Sequence, residues 1–131
     1  MAPCAFASDL SVTLEGIRAD EGGVIRVFLY DSGKAWLKEP EALASREFTP
    51  DEPTKSFTFD SLDQDTTYAI QLLHDADGDG KLKYRMFPPK ILEGFGFSNN
   101  YVPTTKPRFS KARFRLADVS AGMTIRLVYP D

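Results

Sequence analysis

Three aspartates at every second position mark the segment best equipped for chemistry, His74-Asp75-Ala76-Asp77-Gly78-Asp79-Gly80-Lys81-Leu82. Asp75, Asp77 and Asp79, followed by Gly80, reproduce the first half of a calcium loop, D-x-[DN]-x-[DN]-G. A hard dication takes roughly six to eight oxygens. Alternate side chains can curl towards one centre where glycine permits a sharp turn. The backbone carbonyl of Lys81 would supply a further oxygen, and Leu82 would anchor the loop in a core. An EF-hand would place a bidentate glutamate where Met86 stands, and the flanks here alternate like strands, so this is not an EF-hand. A closing carboxylate must come from elsewhere, and Glu93 is the nearest one downstream. The expected cofactor is calcium, with an exposed polar turn as the alternative. Zinc would lack its usual N/S ligands, because the chain has one histidine and one cysteine.

The single histidine, His74, adjoins Asp75 and admits two readings. It could serve with an aspartate as the acid–base pair of a hydrolase acting on an envelope carbohydrate or ester. Alternatively, it closes an apolar strand face as a hydrogen-bonded packing residue. No Gly-x-Ser-x-Gly elbow, nucleotide-binding glycine loop or metal-histidine motif accompanies it. The leading expectation is therefore a non-enzymatic binding or accessory module.

The second informative segment is Glu93-Gly94-Phe95-Gly96-Phe97-Ser98-Asn99-Asn100-Tyr101, in a stretch interrupted by prolines 88, 89, 103 and 107. Glycines alternating with Phe95 and Phe97 imply a backbone that passes close to something else. Long connections rich in aromatics often carry function. Phe95, Phe97, Asn99, Asn100 and Tyr101 are accordingly the expected ligand-binding residues, for a small molecule, a glycan or a protein. The alternative is that Phe87, Phe95 and Phe97 cap the core.

Charge is unevenly distributed. Residues 1–80 carry 16 acidic and 6 basic side chains, whereas residues 81–115 carry 9 basic ones against Glu93. This basic segment either forms the solvated faces of strands or receives an anionic polymer. The formal charge of −3 does not favour nucleic acid as a general partner.

The elements that must position these residues alternate with period two. Leu10, Val12 and Leu14 share one face. Val24–Tyr30 is apolar on nearly both faces, as in a central strand. Phe57 and Phe59, then Tyr68, Ile70 and Leu72, then Ala112, Phe114 and Leu116, then Met123, Ile125, Leu127 and Tyr129 complete the set. Lys111, Arg113 and Arg115 give one of these strands a basic outer face. A seventh strand is expected near Phe95–Phe97. Glu21-Gly22-Gly23 and Ala121-Gly122 mark turns, and Pro40 followed by Glu41-Ala42-Leu43-Ala44 predicts one short helix. The pattern predicts an all-β, immunoglobulin-like antiparallel sandwich of about seven strands. Leu62, Thr66 and Tyr68 have the spacing of a tyrosine corner, in which a phenol ties a strand start to the preceding crossover, with a plain core tyrosine as the alternative.

With 131 residues the chain suffices for one domain, and no apolar run reaches the roughly 20 residues of a membrane-spanning helix. Ala5-Phe6-Ala7 before Ser8 has the small–x–small form of a signal-peptidase site. Residues 1–7 are therefore read as a residual signal-peptide tail and residues 8–131 as the domain. The domain would contain no cysteine, which suits a periplasmic or secreted protein.

Several segments in this order resemble the small exported bacterial proteins grouped as domain of unknown function 2141. They are Glu15-Gly16-Ile17-Arg18, Val24–Ser32, Thr67-Tyr68-Ala69-Ile70 running into His74–Leu82, and Glu93–Asn100. The resemblance spans almost all of the chain after Ser8. It implies a signal peptide and a compact β-sandwich, and brings no established activity. The family tends to Asn where Asp77 and Asp79 stand, to acidic or amide residues where Lys83 and Arg85 stand, and to acids near Ser110-Lys111. The first half of a calcium site is thus strengthened here and the second half weakened.

Overall fold

A computed structural model of the chain describes residues 7–75, 84–86, 89–91, 94–103 and 107–129. The fold is all-β, with two sheets facing each other across one main core, as the alternating pattern predicts. The first sheet has the order β10-β1-β4, from Met123–Arg126 (β10), Ala7–Glu15 (β1) and Lys55–Asp63 (β4). The second has the order β3-β2-β5-β8, from Ala44–Phe48 (β3), Val24–Tyr30 (β2), Thr67–Asp75 (β5) and Gly94–Phe97 (β8). Phe114–Arg115 (β9) pairs with β5 beyond the end of β8. A separate hairpin joins Tyr84–Met86 (β6) to Pro89–Ile91 (β7).

Period-two patterning explains the core. Leu10, Val12 and Leu14 from β1 meet Ile25, Val27 and Leu29 from β2, with Phe59 from β4 and Ile70 and Leu72 from β5. Tyr68, Phe114, Ile125 and Leu127 join the same cluster, and Phe57 packs against it partly buried. The alternating residues Phe59, Tyr68, Ile70, Leu72, Phe114, Ile125 and Leu127 thus share one core, with Phe57 at its margin. Burying a side chain such as Leu72 fully contributes about 1.5–3 kcal/mol.

The other face of the second sheet is also covered, so β5 is buried on both sides. There Tyr30, Ala35, Trp36, Ala69, Phe95, Phe97 and Ala112 form a second cluster. Trp36 packs edge-on against Tyr30 and Phe109, and its indole N–H donates to the Pro107 carbonyl at 3.2 Å.

The tyrosine corner is present. The Asp63 N–H donates to the Tyr68 hydroxyl at 2.9 Å, and that hydroxyl donates to the Asp63 carbonyl at 3.1 Å. One phenol thus fixes the crossover from β4 in one sheet to β5 in the other.

Three details differ from the sequence-based expectations. First, the sheets are not wholly antiparallel. β1 and β10 pair in parallel, Val12 opposite Met123 and Glu15 opposite Arg126. The chain reaches β10 by crossing from the other sheet through the 3-10 turn at Leu116–Val119, so no hairpin forces the directions to oppose. Second, the strand expected over residues 111–116 is a helical turn, Phe109–Ala112 (α1), followed by the two-residue β9. Ala112, Phe114 and Leu116 are still buried, because inward alternation survives the change of backbone. Third, the helix expected at 40–44 is only a 3-10 turn, Glu39–Glu41. The Leu43 N–H is captured by the Leu29 carbonyl at 2.8 Å, and from Ala44 the chain pairs with β2 as a strand. The Gly22-Gly23 turn, with φ of 68° and 74°, passes between sheets and does not close a hairpin.

Candidate functional site

Of the expected calcium ligands, Asp77, Asp79, Lys81 and Glu93 lie outside the described residues. Asp75 ends β5, is fully buried, and accepts from Arg26 Nε at 3.1 Å. Arg26 also pairs with Glu47, so one guanidinium links β2 to a neighbour on each side, β3 and β5. The first aspartate of the acidic loop is thus tied into the sheet. Removing one partner of a buried ion pair typically costs about 3–5 kcal/mol.

His74 is buried on the opposite face of β5. Its Nε2 lies 2.7 Å from the Gly22 carbonyl, and its Nδ1 lies 2.7 Å from the Tyr129 hydroxyl. A carbonyl can only accept, so Nε2 carries a proton. The Tyr129 oxygen in turn accepts from the Arg18 N–H at 2.9 Å, and the Arg18 guanidinium lies over the Tyr129 ring. Burial is the main force pushing the Tyr129 phenol above its ordinary value. Both imidazole nitrogens are engaged, and together they tie the first inter-sheet turn to the end of the chain.

The residues of the glycine–aromatic segment separate into distinct roles. In β8, Gly94 and Gly96 face the main core opposite His74 and Leu72, while Phe95 and Phe97 face the second cluster. A methyl group on Gly96 would lie 2.9 Å from Ile125 Cγ2 and 3.0 Å from Leu72 Cδ2. The alternation of glycine and phenylalanine therefore lets one face of β8 receive the last strand while the other fills a core. Close backbone approach was the expectation from the sequence. Phe95 and Phe97 are 6 % and 1 % exposed.

Ser98, Asn99 and Asn100 replace backbone rungs with side chains. The Ser98 hydroxyl accepts from the Ile70 N–H and donates to the Ala112 carbonyl. The Asn99 amide donates to the Arg113 carbonyl at 2.9 Å. Asn100 accepts from the Arg126 N–H at 2.9 Å and donates to the Thr124 carbonyl at 3.2 Å, as a neighbouring strand would do along the outer edge of β10. Both asparagines have positive φ, 66° and 51°, a region that asparagine tolerates better than most residues.

Where these rungs replace the ladder, the two sheet edges part. β8 and the chain after β10 share a bridge at Phe95 and Val128, closed by reciprocal bonds of 2.8 and 2.7 Å. Beyond it lies a cleft of ≈ 460 Å³. Phe97, Tyr101, Val102, Leu127 and Val128 give it an apolar wall, and Glu15, Asn100, Thr124 and Arg126 supply polar groups. Arg126 lies 3.8 Å from Glu15 across β1 and β10. Val102 is one of the two large apolar side chains that are mostly exposed among the described residues.

The structure thus brings Phe97, Asn100 and Tyr101 to one cleft. Phe95 and Asn99 do not line it. Glu15, Thr124 and Arg126 were not singled out from the sequence, because only the parallel pairing of β1 with β10 brings them there. No curated protein and no solved structure matches the chain. A family model matches over residues 12–124, and its description is an uncharacterized protein conserved in bacteria. The chain belongs to that family, domain of unknown function 2141.

Proposed function

We propose that the protein is an exported, non-enzymatic binding module whose ligand is a glycan, seated in the cleft between β8 and β10. The cleft itself carries the reading. A sugar ring has an apolar C–H face and a rim of hydroxyls. The wall of Tyr101 and Val102 suits the first, and Glu15, Thr124 and Arg126 suit the second. The volume falls in the range of roughly 300–1,000 Å³ usual for small-ligand sites. The engagement of both His74 nitrogens supports a binding role over hydrolysis. The absence of cysteine after Cys4 suits an oxidising compartment.

Calcium is part of the proposal. Support for it comes from the spacing of Asp77 and Asp79 before Gly80, with the Lys81 carbonyl and Glu93 completing the oxygens. In this reading Asp75, held by Arg26, anchors the start of the loop to the sheet.

The test is an NMR titration of the calcium-supplemented protein with a panel of neutral mono- and oligosaccharides at millimolar concentration. Shifts should cluster on Glu15, Tyr101, Val102 and Thr124, and Tyr101→Ala should remove them while leaving the fold intact. A panel that moves none of these resonances, or moves them equally in Tyr101→Ala, overturns the glycan reading.

A further inference from the structure

The segment Arg108–Arg115 carries four cations, Arg108, Lys111, Arg113 and Arg115, and all four are exposed. Among the described residues none of them has an acidic oxygen within 4.0 Å, whereas Arg18 and Arg126 each have one and Arg26 has two. The backbone beneath them is held from several directions. Ser98 bonds to the Ala112 carbonyl, Asn99 to those of Lys111 and Arg113, and the Arg113 N–H to the Phe109 carbonyl. β9 then pairs Phe114 with Tyr68 and Arg115 with Thr67. Ala112, Phe114 and Leu116 point inwards between the cations and are buried. The result is a ridge of positive charge, unpaired among the described residues, on a fixed backbone, in a chain whose first 80 residues hold 16 acids and 6 bases.

We propose that this ridge is a docking surface for an anionic polysaccharide, a flexible chain of sugars bearing carboxylate or sulfate groups. Cations on an ordered backbone bind polyanions with little backbone ordering cost to the protein, and the acidity of residues 1–80 disfavours the polymer on the surface they form. The ridge lacks features that other polyanions use. Single-stranded nucleic acid is gripped by exposed aromatic rings, but Phe114 is buried here and Phe109 packs against Trp36. A membrane surface is gripped by apolar side chains that enter it, but the apolar residues of this segment face the core. The proposal stands apart from the cleft, because it rests on different residues and on charge.

The experiment measures binding of the whole chain to heparin and to polygalacturonate, a sulfated and a carboxylated probe, between 50 and 200 mM salt. A single-stranded oligonucleotide and phosphatidylglycerol vesicles form the comparison arms. If four cations each displace a counterion, affinity should fall about 50-fold over that range, using the slope of roughly 0.7 per contact for flexible polyanions. The double variant Arg113→Gln/Arg115→Gln should bind more weakly and lose only about sevenfold over the same range. Lys34→Gln, an exposed lysine outside the ridge, should behave as wild type, and equal melting temperatures would show that all three proteins are folded. Four outcomes each overturn the proposal: neither polysaccharide binding at low salt, binding insensitive to salt, the double variant matching Lys34→Gln, or tighter binding to the oligonucleotide or the vesicles.

Discussion

Replacing Gly94 by alanine should cost about 2–4 kcal/mol, although glycine in a strand is normally a liability and alanine an improvement. The added methyl group would lie 2.7 Å from Tyr129 Cδ2 and 3.0 Å from Cζ, and closer still to Cε2. Overpacking of this kind costs about 1–3 kcal/mol. Turning the Tyr129 ring aside would also break its contacts with His74 Nδ1 and the Arg18 N–H. A buried ring nitrogen left without a partner adds about 1–3 kcal/mol. Against this, the lower backbone freedom of alanine in the unfolded chain returns only about 0.4–1 kcal/mol. For a domain of this length the loss corresponds to a melting-temperature drop of roughly 6–16 °C. Urea unfolding of wild type, Gly94→Ala, Tyr129→Ala and the double variant tests the cause as well as the size. Once Tyr129 is truncated, the alanine at 94 should cost almost nothing, giving a coupling energy of about 2 kcal/mol or more. A Gly94→Ala variant within about 0.5 kcal/mol of wild type, or one equally damaging in the Tyr129→Ala background, would refute the close-approach account.

Three other outcomes are expected. Tyr68→Phe should lose about 1–2 kcal/mol in denaturant melts, since it leaves the Asp63 N–H and carbonyl without their phenol; Tyr101→Phe should lose almost none. Burial, with the charge of Glu39 adding to it, raises the pKa of Tyr30 in the folded state above the ordinary value of 10.0. The unfolded chain therefore deprotonates first, so this contribution is complete below about pH 10 and disappears as pH rises beyond it; Tyr30→Phe should flatten that alkaline decline in a pH series of melts. Calcium at roughly 100 times its dissociation constant should add about 2.7 kcal/mol relative to chelator, Asp77→Ala and Asp79→Ala should each remove most of the gain, and identical melts in calcium and chelator would end the metal reading.

The sequence announced the main core because burial in a sandwich follows side-chain alternation, a local property. Tyr68, Ile70 and Leu72 share a face whatever the neighbouring strand is. Even where α1 stands in place of the expected strand, Ala112 stays inward, as Phe114 does in β9, since the core selects apolar side chains before it selects a backbone. What escaped was non-local. β3 begins at Ala44 because β2 offers an open edge, a fact recorded in neither segment alone. The cleft was half visible for the same reason: Tyr101 and Asn100 stood out by composition, while Glu15, Thr124 and Arg126 reach it only through a pairing between the two ends of the chain. The acidic loop shows the reverse case. Its spacing stands out in the sequence, yet the engagement of Asp75 by Arg26 depends on β2 lying beside β5.

The side-chain rungs at Ser98, Asn99 and Asn100 have a consequence for how this scaffold can vary. In most sandwiches a strand edge is satisfied by another strand, so a connection between edges must keep its length and register. Here three consecutive short side chains satisfy carbonyls and N–H groups of β5, α1 and β10 from a single point. The chain that leaves after Tyr101 is thereby relieved of strand pairing at its start, while Pro107 accepts from the Trp36 indole. Residues inserted after Val102 should be accommodated without disturbing either sheet, making this connection a natural port for diversification or for grafting a recognition peptide beside the cleft.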